Sequence, residues 1–151
     1  MKKFNHILEE AEKIIDGKGG KEEKLEKICR LLKENVPYYN WVGIYYANSD
    51  KKELTLGPFV GEKTEHVKIK FGSGICGRAA EKLDTIIVQD VSKESNYLSC
   101  SPFVKAEIVV PIFKEGKFVG ELDIDSHMLS PFSKEDKDFL EEICKMLSKI
   151  F

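Results

Sequence analysis

Residues 106–124 set the terms for the rest of this chain. They read A-E-I-V-V-P-I-F, then Lys114-Glu115-Gly116-Lys117, then F-V-G-E-L-D-I. Two β-branched, apolar runs around a glycine-bearing turn predict a β-hairpin. Side chains alternate across a strand, so Glu121, Asp123 and Asp125 share one face while Leu122 and Ile124 share the other. On the preceding strand Glu107 shares a face with Val109, and Ile108 and Val110 take the opposite one. One face of the hairpin is therefore committed to a hydrophobic core and the other carries carboxylates. The ordinary outcome of that pattern is an antiparallel sheet wetted on one side. Asp is depleted in strands, however, and two in one short strand shift the balance toward a face that binds a cationic group, such as a ligand ammonium.

The flanking segments fit around such a sheet. Phe4, Ile7, Leu8, Ala11, Ile14 and Ile15 recur at helical spacing, and Gly17, Gly19 and Gly20 stop that helix. Leu25, Ile28, Cys29 and Leu32 mark a second helix from about Glu22, ended at Val36-Pro37 because the residue before proline avoids the α region. W-V-G-I-Y-Y from Trp41 and L-T-L-G-P-F in residues 53–59 predict a hairpin with a longer loop. In residues 66–70, Val67 and Ile69 face one way and His66, Lys68 and Lys70 the other, a half-buried strand. A short helix is expected over residues 75–83 and a brief strand over 85–88. Residues 89–103 have no sustained apolar period, and a loop of that length is usually functional or mobile. Ser133 with Asp136 three residues on reads as a capping box opening a last helix. Its stripe is Phe139, Leu140, Ile143, Cys144 and Leu147.

The expected fold is thus α+β: an antiparallel sheet of about six strands flanked by N- and C-terminal helices. The 151 residues suit one domain, with helices in 1–36 and the sheet, pocket and closing helix in 40–151. Net charge is −2, from 24 basic and 26 acidic residues, which gives no general field for nucleic acid or an acidic membrane. No apolar run reaches the roughly 18 residues a membrane span needs, and the N-terminus lacks the apolar core of a signal peptide. The expected setting is the cytoplasm, where thiols stay reduced.

Four cysteines are present. Cys29 and Cys144 fall on apolar helical stripes and read as small core residues. Cys76 follows the glycines of F-G-S-G-I-C-G-R-A-A at an expected helix start, where unpaired N–H groups and the helix dipole favour a thiolate. Packing of the helix on the sheet explains Cys76 equally well. Cys100 ends the polar run Y-L-S-C. With no C-x-x-C pair and three scattered histidines (His6, His66 and His127), no metal site is expected. Trp41, the only tryptophan, either walls a pocket or is a core aromatic.

N-W-V-G-I-Y-Y, L-G-P-F-V-G, F-G-S-G-I-C-G-R-A-A, the S-x-C segment before E-I-V-V-P-I, and G-x-L-D-I-D-S occur in this order. Together they resemble a GAF domain and, within that superfamily, the free methionine-(R)-sulfoxide reductases. The resemblance implies a six-stranded antiparallel sheet with a small pocket closed by the loop around Cys100. Cys100 matches the catalytic cysteine and Cys76 a second cysteine of the pocket. Trp41, Glu107, Asp123 and Asp125 match positions that hold free methionine sulfoxide, with Asp125 suited to protonate the sulfoxide oxygen. His66 stands where the family often has a third, resolving cysteine. N-Y-L-S-C replaces the usual G-H-I-A-C, and Ser101-Pro102-Phe103-Val104 replaces a more polar run. The implied activity is thiol-dependent reduction through a Cys100 sulfenic acid, with Cys76 as resolver, a thioredoxin-type reductant and no cofactor. A non-catalytic GAF module that binds a small ligand or senses redox state is the alternative. A homodimer built on the terminal helices ranks third.

Overall fold

The computed structural model describes residues 2–95, 97 and 101–151. Helix α1 (Asn5–Asp16) buries Ile7, Ala11 and Ile15, and α2 (Lys21–Asn35) buries Leu25, Ile28, Cys29 and Leu32. Six strands follow: β1 (Trp41–Asn48), β2 (Glu53–Val60), β3 (Lys68–Lys70), β4 (Ile86–Val88), β5 (Ala106–Lys114) and β6 (Lys117–Ser126). Helix α3 (Gly74–Lys82) lies between β3 and β4, and α4 (Lys134–Leu147) closes the fold. The strands form one sheet in the order β3-β2-β1-β6-β5-β4, and every neighbouring pair is antiparallel. The α+β expectation holds. Among the described residues no helix is long and apolar enough to cross a membrane.

The sheet separates two cores. On one face Val42, Ile44, Ile108, Val110, Ile112, Leu122 and Ile124 pack with α1, α2 and α4. On the other, Trp41, Tyr45 and Val109 meet Ile75, Cys76, Ala79 and Ala80 of α3. The period-two pattern of β6 thus feeds Leu122 and Ile124 into the larger core and turns its three acids toward α3. The β5–β6 turn pairs Lys114 with Lys117 around Glu115 and Gly116, whose φ of 51° and 78° suit a two-residue hairpin loop, and a bulge between Ile112 and Phe113 then shifts the pairing by one residue, so that Ile112 faces Gly120. Cys29 and Cys144 are buried in the larger core, as their stripes predict. Burial pushes both thiols well above their ordinary pKa.

One strand expectation needs correcting. Ile69 is buried, but Val67 is 52% exposed, because β3 pairs with β2 only over Lys68–Lys70. Val67 extends past the paired stretch, and alternation alone does not reveal where pairing stops.

The capping box opening α4 is present, with Ser133 Oγ accepting from the Asp136 amide. Asp136 is fully buried and does more than cap. Its Oδ2 accepts from the Ser133 amide and hydroxyl at 2.8 and 2.7 Å. Its Oδ1 accepts from the Tyr38 and Tyr39 hydroxyls at 2.7 and 2.6 Å. One carboxylate therefore ties the segment entering β1 to the start of α4. Removing it deletes the cap and strands buried hydroxyl donors. Asp136→Ala is expected to cost about 2–4 kcal/mol in urea denaturation, with Asp136→Asn in between because its amide oxygen still accepts.

Candidate active site

The β1–β6–β5 register lays out the face beneath α3 row by row. Trp41 pairs with Asp125, and Asp125 with Glu107. Gly43 pairs with Asp123, and Asp123 with Val109; Tyr45 pairs with Glu121, and Glu121 with Pro111. The carboxyl groups of Glu121, Asp123 and Asp125 therefore line up along β6, with Glu107 beside Asp125. All four are buried: Glu107 is 5% exposed, Asp123 1%, and Glu121 and Asp125 not at all. The wetted-face alternative is excluded. Helix α3 and its approach cover what is normally the solvent side of an antiparallel sheet.

Trp41 is held rigidly at the head of these rows. Its Nε1 donates to the Glu62 carbonyl at 2.8 Å, and its rings stack on Phe59 with centroids 5.5 Å apart. The indole lies across Gly43. A Cβ there would come within 2.4 Å of Trp41 Cη2, so only glycine leaves room. On the other flank a Cβ on Gly61 would stand 2.5 Å from Trp41 Cδ1. Glycine inside a strand often marks such a close approach.

Helix α3 sits flush on the sheet for a similar reason. A Cβ on Gly77 would meet the Lys70 carbonyl oxygen at 2.6 Å and the Gly72 nitrogen at 2.9 Å. This closeness buries Cys76, whose Sγ donates to Glu107 at 3.7 Å. Cys76 stands in the first turn of α3 as expected, and of its two readings the packed thiol is favoured over the thiolate. Burial drives its pKa well above the ordinary thiol value, reinforced by Asp123, Glu107, Glu121 and Asp125. Desolvation and four acidic neighbours outweigh a helix dipole, so Cys76 is a protonated thiol.

The acids respond likewise. Burial raises Glu121 well above the usual carboxyl range, with Asp123 adding to the rise. Burial also raises Asp123, against the lowering effect of hydrogen bonding with Glu107 and Cys76. Neither Glu121 oxygen, nor Asp123 Oδ1, has a hydrogen-bond partner. Although spacing predicts no metal site, one donor atom each from Cys76, Glu107 and Asp123 lie within 4.8 Å of one another. Two small hollows open on this frame. One, of about 10 Å³, is lined by Tyr45, His66, Cys76, Glu107 and Asp123 among others. The second, of about 30 Å³, is lined by Trp41, Asp125, Glu62, Ser101, Val104 and His127, with Asn40.

The fold thus gathers Trp41, Cys76, Glu107, Asp123 and Asp125, while Cys100 lies outside the described residues. Sequence reasoning missed Gly43, Tyr45 and the depth of Glu121. The lone glycine in W-V-G-I-Y-Y was the available signal for the first. Tyr45 shares Trp41's strand parity and donates its hydroxyl to the His66 carbonyl at 2.9 Å.

A sheet of this order, with buried acids under one covering helix, defines an α+β domain of the GAF-like kind. A model of the GAF domain matches residues 21–151, and the chain belongs to the GAF domain family. It is 35% identical over 144 residues to GAF domain-containing protein A of Dictyostelium discoideum, covering 95% of this chain and 89% of that one. It is 43% identical over 112 residues to free methionine-R-sulfoxide reductase of Saccharomyces cerevisiae, covering 73% of this chain and 62% of that one. Among solved structures it matches free methionine-R-sulfoxide reductase of Neisseria meningitidis in complex with its substrate. There the TM-score is 0.92 at 34% identity, covering 98% of this chain and 87% of that one.

Gly43→Ala should dislodge the indole. Trp41 is the sole tryptophan, so the shift is read directly: its emission is expected to move to longer wavelength, with a stability loss of about 1–3 kcal/mol from overpacking. Unchanged emission would mean that the Gly43–Trp41 contact does not hold the ring.

Proposed function

We propose that this protein reduces free L-methionine (R)-sulfoxide to L-methionine. The observation that carries this reading is the buried acidic frame of Glu107, Asp123 and Asp125 at the foot of Trp41, which suits a ligand with a cationic head and an apolar tail. Its support from outside the chain is likeness to proteins named for that reaction.

The substrate ammonium is held by Glu107 and the β6 aspartates through charge-assisted hydrogen bonds, and Trp41 borders the S-methyl group. Either hollow alone holds little more than a water, so the lining has to open between Asp123 and Asp125 for the amino acid to enter. Cys100 attacks the sulfoxide sulfur as a thiolate while Asp125 delivers a proton to the sulfoxide oxygen. The oxygen passes to Cys100 as a sulfenic acid, two electrons pass to the substrate, and methionine leaves as the thioether. Cys76 condenses with the sulfenic acid, giving a disulfide and water. Its thiol proton, held among the carboxyl groups until then, leaves with that water. A thioredoxin-type dithiol in a reducing cytoplasm restores both thiols.

A stereospecific assay on free methionine (R)-sulfoxide, with dithiothreitol and separately with thioredoxin, tests the reading. Turnover of the R but not the S epimer is expected, abolished in Cys100→Ser. No turnover under either reductant sinks the proposal.

The acids should separate by role. Asp123→Asn is expected to lower kcat/KM by about 10²–10³-fold, the cost of truncating one partner of a buried charge pair. Asp125→Asn should act chiefly on kcat, by about 10²–10⁴-fold, as loss of the acid. Equal and small effects on KM alone would remove Asp125 from the proton-delivery role.

A further inference from the structure

We propose that Cys76, Glu107 and Asp123 also form a buried site for one thiophilic divalent cation of the Zn²⁺ class. Three observations converge. One donor atom from each residue lies within 4.8 Å of the other two, and Cys76 Sγ is already 3.7 Å from Glu107. Donors around tetrahedral zinc stand about 3.3–3.7 Å apart, given bonds of about 2.0–2.3 Å, so a contraction of about 1 Å closes the set. Asp123, 1% exposed, keeps Oδ1 without a hydrogen-bond partner beside this cluster, and both Glu121 oxygens, two residues along β6, are likewise unpartnered. Third, the hollow against all three donors is about 10 Å³. That suits a single dehydrated ion and excludes a hydrated one.

Donor chemistry selects the metal. Calcium wants six to eight oxygens and magnesium keeps its waters. A thiol with two carboxylates fits zinc, cadmium or ferrous iron. Binding replaces the thiol proton: the S–H bond breaks, an S–metal bond forms and one proton is released. No redox change is involved. The charge argument agrees, because no ion pair among the described residues reaches Glu121 or Asp123. A divalent cation supplies positive charge beside these two acids. Binding stands on the donors alone; only its competition with substrate rests on the reductase reading. The ion would occupy the acids that receive the ammonium and tie up the resolving thiol, so zinc acts as an inhibitor.

The experiment titrates the reduced, metal-free protein with Cd²⁺, following the sulfur-to-cadmium charge-transfer absorption, and with Zn²⁺ by calorimetry. The expected result is one ion per chain, with the band retained in Cys100→Ser and lost in Cys76→Ser. Asp123→Asn should weaken affinity at least about tenfold. No band in the wild type, an undiminished band in Cys76→Ser, or undiminished affinity in Asp123→Asn overturns the site. Circular dichroism checks each fold; should Cys76→Ser not fold, the Asp123→Asn affinity decides. The two readings fail separately. Cadmium binding at Cys76 without sulfoxide turnover removes the reductase and keeps the metal site, whereas turnover without metal binding does the reverse.

Discussion

The rest of this structure depends on keeping four carboxyl groups and a thiol dry on one face of a sheet. Glu107, Glu121, Asp123 and Asp125 are each 5% exposed or less. Desolvating carboxyl groups is costly, so the opposite face must more than offset it. It does so with an apolar layer: Ile108, Val110, Leu122 and Ile124 pack against three helices. The sheet is a partition. One side supplies stability and the other can hold a destabilising arrangement in place.

That partition makes register unforgiving. A slip of one residue between β5 and β6 would send Leu122 and Ile124 beneath α3 and drive Glu121, Asp123 and Asp125 into the larger core. The turn at Glu115-Gly116 fixes register locally, and a bulge between Ile112 and Phe113 shifts it by one residue before the pairing from Ala106 to Ile112 carries it to the pocket. Glycines supply the remaining precision. Gly43 and Gly61 admit the Trp41 indole from two sides, and Gly77 lets α3 settle over Cys76. Close packing and two hydrogen bonds to the loop before β3, from Trp41 to the Glu62 carbonyl and from Tyr45 to the His66 carbonyl, position this half of the site.

Much of this was legible in the chain. The alternation of G-E-L-D-I-D-S placed three acids on one face, and helical stripes placed Cys29 and Cys144 in a core. What periodicity could not give was depth. It cannot distinguish a carboxylate facing water from one facing α3, because what covers a strand is decided by elements far away in sequence. Cys76 shows the same limit. Its position at a helix start is local and was readable; the four acids that raise its pKa come from β5 and β6 and invert the local expectation. Val67 shows it in reverse, since its alternation with Ile69 was read as one strand face and the paired strand begins one residue later, at Lys68. Glu121 was seen as one of three equivalent acids, yet it alone among the three stands opposite Tyr45, away from Trp41.

Raised carboxyl pKa values also say what this pocket is built to receive. Asp123 and Glu121 hold protons to higher pH when folded than when unfolded. Their contribution to stability is therefore fully present below the ordinary carboxyl pKa and is lost as pH rises through their raised values. In the empty site, protons on Asp123 and Glu121 relieve the burial of their charge. A cationic ligand does the same work from outside: it stabilises the ionised forms, lowers their pKa values and releases protons as it binds. On the two proposals made for this site, an ammonium head and a divalent metal are alternative answers to that one deficit. The ammonium leaves Cys76 free as a thiol, and the metal takes its proton and its sulfur. Which cation occupies the frame thus decides whether the thiol beside it remains available for chemistry.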